Sequence, residues 1–194
     1  MHFEKTEDSD DKINPMVIKD ILELTESNKA LIFCNSRVKV EALTYTLNEK
    51  LGYTKFYAHH SYIDKNLKEE IENLVKEDDS VCIVSTSTLE LGIDIGSVDL
   101  VIQLDCTFSV SSLKQRIGRT GRRKNQDRIS QIYTEEPESL LLSATTIELM
   151  KQGRVEEPII TTKNYDYLFQ QILSMIIENN GIRVEKLIPK LNSN

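Results

Sequence analysis

The chain has 194 residues, 39% of them hydrophobic and 28% charged, with a formal net charge of −7 at pH 7. That length accommodates one domain of about 150 residues plus a small remainder, and the apolar fraction excludes wholesale disorder, collagen and low-complexity classes. Three cysteines, Cys34, Cys82 and Cys106, are odd in number, far apart and without a CxxC spacing, so neither a disulfide framework nor a zinc site is indicated and a reducing, intracellular setting is expected.

Residues 1–13 are polar and acid-rich and read as a flexible lead-in rather than a signal peptide; no apolar run approaches the roughly 18 residues that span a bilayer. Asn14-Pro15 then has the form of a cap followed by proline at the first helical position, and Val17, Ile18, Ile21, Leu22 and Leu24 form an apolar helical stripe to about Ser27. Residues 30–34 are a continuous apolar run of strand type, followed at once by Asn35-Ser36-Arg37 and a helix ending before Gly52. The unit recurs as a strand over 55–58 with a helix over 64–76, then a strand over 81–84 with a short segment at 88–91. Further strands are expected at 100–102 and 129–133, and helices at about 112–119 and 137–151.

Buried strands alternating with helices predict an α/β fold, a doubly wound parallel sheet with helices on both faces. Ligands of such sheets sit beyond the carboxyl ends of the strands, which here carry Asn35-Ser36-Arg37, His59-His60-Ser61 and Ser85-Thr86-Ser87. After about Thr161 the texture changes to a helix with a broad apolar face, from Tyr165 to Ile176, and a second helix beginning near Arg183. Two such helices do not make a domain by themselves.

Bulk acidity argues against a nucleic-acid binder, but Lys114, Arg116, Arg119, Arg122, Arg123, Lys124 and Arg128 fall within one stretch whose sole acid is Asp127. Inside it, Gln115-Arg116-Ile117-Gly118-Arg119-Thr120-Gly121-Arg122 would place Gln115, Arg119 and Arg122 on one helical face, with two glycines each costing about 1 kcal/mol relative to alanine. Close approach of another surface, with arginines aimed at phosphate, explains both features better than a solvated basic helix. Upstream, Ser85-Thr86-Ser87-Thr88 at a strand end offers hydroxyls to phosphates, and Gly92 opens access to Asp94, whose carboxylate suits a ribose hydroxyl. An ordinary strand-turn-helix capped by Ser and Thr is the plainer account of that second segment.

Together these segments resemble the second RecA-like domain of superfamily 2 helicases: residues 30–37 resemble motif IV, 85–96 motif V and 115–122 motif VI. The run 88–103 is most similar to the large helicase-related (Lhr-like) group. The resemblance covers about 14–160, assigned here as the helicase C-terminal domain, and 161–194 is similar to the start of a winged helix, cut short. It implies that Arg119 and Arg122 act as arginine fingers on the γ-phosphate of ATP held by an upstream RecA-like domain of the same polypeptide. It also implies that Gly92, Asp94 and Gln115 serve the nucleotide, and that Asn35, Ser36, Arg37, Thr86 and Ser87 hold phosphates of single-stranded DNA or RNA. ATP and Mg²⁺ are the implied cofactors, bound mainly by the upstream domain.

One position departs from the group: His59-His60-Ser61 stands where His-His-Gly is usual, which suggests that Ser61 and Asp64 form a plain capping pair. The adjacent histidines lack metal-like spacing. The chain has no G-x-x-x-x-G-K-[ST], so ATP hydrolysis by this segment alone is not expected. A non-catalytic strand-binding scaffold and the motor of another superfamily 2 translocase are the rival readings.

Overall fold

The computed structural model describes residues 13–90, 95–120, 129–157 and 164–192. Its first helix starts where a side chain replaces a missing backbone partner: the Asn14 carboxamide accepts from the Met16 N–H at 2.9 Å, Pro15 occupies the first helical position, and α1 runs Pro15–Thr25. The fully buried β1, Ala30–Phe33, follows. Ser36 then caps α2, Arg37–Leu51, by accepting from the Lys39 N–H, and Gly52 ends that helix at φ 73°, a left-handed conformation that favours glycine. Asn48 sets the return into β2, Phe56–His59: its oxygen accepts from the N–H groups of Lys55 and Phe56, and its Nδ2 donates to the Phe56 carbonyl.

Asp64, accepting from the Asn66 N–H, caps α3, Lys65–Glu77. The expected Ser61–Asp64 capping pair is therefore replaced by Asp64 acting alone, while the Ser61 carbonyl accepts from Lys68 Nζ at 3.0 Å. Next come β3, Cys82–Ser85, a single 3-10 turn, Ser87–Leu89, and β4, Leu100–Leu104. The unit is completed by α4, Val110–Ile117, β5, Ile129–Tyr133, and α5, Pro137–Lys151.

The five strands pair in parallel in the order β2-β3-β1-β4-β5. Alternate residues of β1 divide the core. Ala30 and Ile32 pack with Ile18 and Ile21 of α1 and Val40, Leu43 and Leu47 of α2, whereas Leu31 and Phe33 pack with Ile71 and Val75 of α3 and with Leu89, Ile95 and Val98. A strand apolar on every residue is explained by these two layers, and the expected doubly wound α/β sheet with helices on both faces is what forms.

One element differs in a way that matters to the site. The arginine-rich helix ends at Ile117, so Gly118 is its cap and Arg119 lies beyond it, in a turn whose Thr120 bridges to Val98. The glycine is not buried inside a helix, and its φ of −64° is ordinary. A Cβ there would meet the Lys114 carbonyl at 3.1 Å, a preceding turn of the same helix rather than another surface.

The described residues form two compact units, the first ending at Glu156 and the second beginning at Glu157. The second contains α6, Tyr165–Glu178, and α7, Val184–Asn192; Tyr167, Phe169, Ile177, Val184 and Ile188 of this pair are exposed. Among the described residues no helix is long and apolar enough to cross a membrane.

Candidate nucleic-acid and nucleotide interface

β1 and β4 are neighbours, yet the connection after β1 leads to one edge of the sheet and that after β4 to the other. Such a reversal opens a crevice at the carboxyl ends of the strands. Here it is a cleft of about 280 Å³, lined by Cys34 and Asn35 after β1, Thr86, Ser87 and Glu90 after β3, and Phe108, Ser109, Ser112 and Arg116 from the start of α4 and the loop before it. Three residues expected from sequence to hold strand phosphates, Asn35, Thr86 and Ser87, thus meet at one place. Ser36 and Arg37 are exposed at the N-terminus of α2 beside it, outside the lining.

Glu90 organises the far wall. Its carboxylate accepts from Arg116 Nε at 2.7 Å and from Arg116 Nη2, and from the Ser112 hydroxyl at 2.8 Å, while its backbone carbonyl accepts from Arg119 Nη2. Arg116 also donates to Gln103 and lies over the Phe33 ring, 4.6 Å from its centroid. A guanidinium only 3% exposed is stable there because its donors, its charge and its flat face are all matched. Of the three described members of the expected basic patch, Arg116 and Arg119 are buried and Lys114 is exposed; Arg122, Arg123, Lys124 and Arg128 lie outside the described residues. Gln115 is half-buried on α4.

The loop leaving β4 is tied on both sides. Asp105, at φ 65°, accepts from Lys39 Nζ at 2.8 Å and donates its N–H to the Tyr133 carbonyl at 2.7 Å. Asn35 Nδ2 donates to the Cys106 carbonyl at 2.9 Å, so this amide positions the loop. At α4 the Ser109 hydroxyl accepts from the Ser112 N–H, and the Glu156 carboxylate accepts from the Val110 and Ser111 N–H groups at 2.6 and 3.0 Å. The Val110 N–H foremost, with the backbone N–H groups of Glu156 and Ser111, holds the Glu156 carboxyl at about 2, well below the usual carboxylate range.

At the β2 end both histidines are buried and serve the scaffold. His59 bonds Thr88 Oγ1 at 2.9 Å and Glu72 at 3.2 Å, and burial lowers its pKa against the opposing pull of Glu72. His60 Nδ1 accepts from the Tyr62 N–H, leaving Nε2 to donate to Glu41 at 2.6 Å. Tyr62, 76% exposed, carries the Arg37 guanidinium over its ring at 4.3 Å. That pairing fixes Arg37 at low entropic cost while leaving its edges to a phosphate. Cys34, in the wall of the cleft, is pushed up to about 12 by burial and stays a thiol.

Gly92, Asp94 and Arg122 lie outside the described residues. Glu90, Tyr62, Phe108 and Glu156 were not legible as site residues. Arg116 carried a usable signal, because Val110, Leu113 and Arg116 recur at three-residue spacing and form the buried stripe of α4. Among the described residues no three His, Cys, Asp or Glu side chains gather as a metal site.

Residues 14–124 match the helicase conserved C-terminal domain family. The ATP-dependent helicase Lhr-Core of Methanothermobacter thermautotrophicus is 32% identical over 167 residues, which cover 84% of this chain and 19% of that protein. The Lhr-Core of Methanocaldococcus jannaschii is 36% identical over 163 residues, with coverages of 84% and 19%. The solved structure of Mycobacterium smegmatis helicase Lhr bound to ssDNA and AMP-PNP superposes with a TM-score of 0.69 at 34% identity, covering 75% of this chain and 20% of that one. The chain therefore spans about a fifth of the length of the relatives it matches.

Proposed function

This chain belongs to the helicase conserved C-terminal domain family, as a superfamily 2, Lhr-like member, and from that premise we propose that it is the second motor domain of an ATP-dependent helicase that moves along single-stranded nucleic acid. ATP bound by an upstream RecA-like domain would draw the two domains together. Arg119 and Arg122 would then meet the γ-phosphate, where an arginine is worth roughly 10³ to 10⁵ in rate in related phosphoryl transfers. Gly92 and Asp94 would face the ribose, and Gln115 would tie the nucleotide to the strand-contacting segment. Asn35, Ser36, Arg37, Thr86 and Ser87 would hold the strand beyond the sheet, independently of its sequence. Mg²⁺ would accompany the nucleotide on the upstream domain.

The observation that carries this reading is Glu90. It lines the strand-side cleft and also accepts from both Arg116 and Arg119, so one residue joins the two halves of the mechanism. A shift of Arg119 on closure is transmitted to the cleft through a single peptide unit, which suits a cycle of opening and closing.

The test is ATP hydrolysis with single-stranded DNA or RNA, comparing the 194-residue chain with the same chain joined to the P-loop domain that the proposal places upstream. Activity is expected in the joined form alone, and Arg122→Ala in that form is expected to remove at least 10³-fold of the stimulated rate with an unchanged melting temperature. Full turnover by the Arg122→Ala protein would refute the finger assignment.

A further inference from the structure

Among the described residues, the interior of the cleft at the switch point holds no unmatched cation. Its one guanidinium, Arg116, is already matched by Glu90, and the N–H groups at the start of α4, which would otherwise attract an anion, are taken by the Glu156 carboxylate. Among the described residues, what remains is a space without an unmatched charge, with apolar walls at Cys34 and Phe108 and hydroxyls at Thr86, Ser87 and Ser109. Phe108 is 86% exposed, on a loop whose neighbours are held by the Asp105–Lys39 pair, by the bond from Asn35 to the Cys106 carbonyl and by the capped start of α4. Its backbone is thus held in place while its ring stands open to water at the edge of the cleft. Arg37, an exposed cation two residues after Asn35, lies outside the lining.

We propose that this cleft is a nucleobase site: one unstacked base of the bound strand enters it and stacks on Phe108, while the phosphates on either side of that base stay at the rim, on Asn35, Ser36, Arg37, Thr86 and Ser87. A planar, uncharged ring is the ligand that an exposed aromatic on a held backbone, with hydroxyls around it, accepts. Any base has a face to stack, so such a site grips the strand without reading its sequence. The proposal rests on the strand-binding reading given above, and the experiment separates the two.

The chain contains no tryptophan, so Phe108→Trp installs a single indole reporter. At low salt, the wild-type chain is expected to bind oligothymidylate about tenfold more tightly than an abasic strand of the same length, the scale of one base–aromatic stack. Phe108→Ala is expected to erase that difference and keep the weaker, salt-sensitive binding to both strands, with unchanged melting because the ring is not core. The Phe108→Trp emission is expected to be quenched by oligothymidylate and not by the abasic strand. Equal binding of the two strands by the wild type overturns the nucleobase site and leaves the strand-binding reading standing. A base preference that survives Phe108→Ala, with no quenching in Phe108→Trp, also overturns it, by placing the base elsewhere. No binding of either strand overturns both.

Discussion

Glu90 accepts from two nitrogens of Arg116 and from Ser112 in a nearly dry setting, so removing its charge strands a buried guanidinium. Glu90→Gln is therefore expected to cost about 3 kcal/mol of stability, read from a denaturant melt, with part recovered when Arg116→Gln removes the orphaned charge as well. A loss below about 0.5 kcal/mol would show that the pair is not buried as described. The same residue marks the limit of reading a sequence one side chain at a time. Arginines in a glycine-rich motif announce a phosphate, but burial of Arg116 over Phe33 depends on β1 and α4 meeting, and their residues are some eighty positions apart.

At the level of elements, α4 depends on a carboxylate from outside it. Glu156 is held well below its ordinary pKa by the backbone N–H groups it accepts from, foremost that of Val110. A lowered pKa in the folded state contributes stability that is present above the ordinary carboxylate value of about 4.3 and is lost as pH falls toward 2. Melting temperatures measured from pH 5 to pH 2 are expected to fall less steeply for Glu156→Gln than for wild type; identical slopes would remove Glu156 as a cap. The chain's short strands and its longer helices were legible because their apolar periods, the Asn14-Pro15 start and the Gly52 stop are local signals. The end of α4 was not: nothing in its own residues announces that Thr120 will bridge to Val98 and draw Arg119 out of the helix.

For the whole molecule, a net charge of −7 opposes strand binding while Arg37 stands exposed at the sheet's carboxyl edge, so association is expected to be local and strongly screened. The slope of log affinity against log salt should steepen by about 0.7 for each phosphate neutralised on a single strand, and Arg37→Ala should flatten it by about that amount in anisotropy titrations. An unchanged slope would exclude Arg37 from the phosphate path. By itself the sequence determined the family, the parallel α/β order of strands and helices and the residues at the strand ends, because all of these rest on local period and on motifs contiguous in the chain. Only the tertiary structure decided that Asn35, Thr86 and Ser87 share a cleft with Phe108, that Glu90 joins the two arginines, and that Glu156 occupies the start of α4. The physical reason is that charge matching and burial are pairwise properties of residues far apart in the chain, fixed when β1, β3 and β4 come to lie side by side.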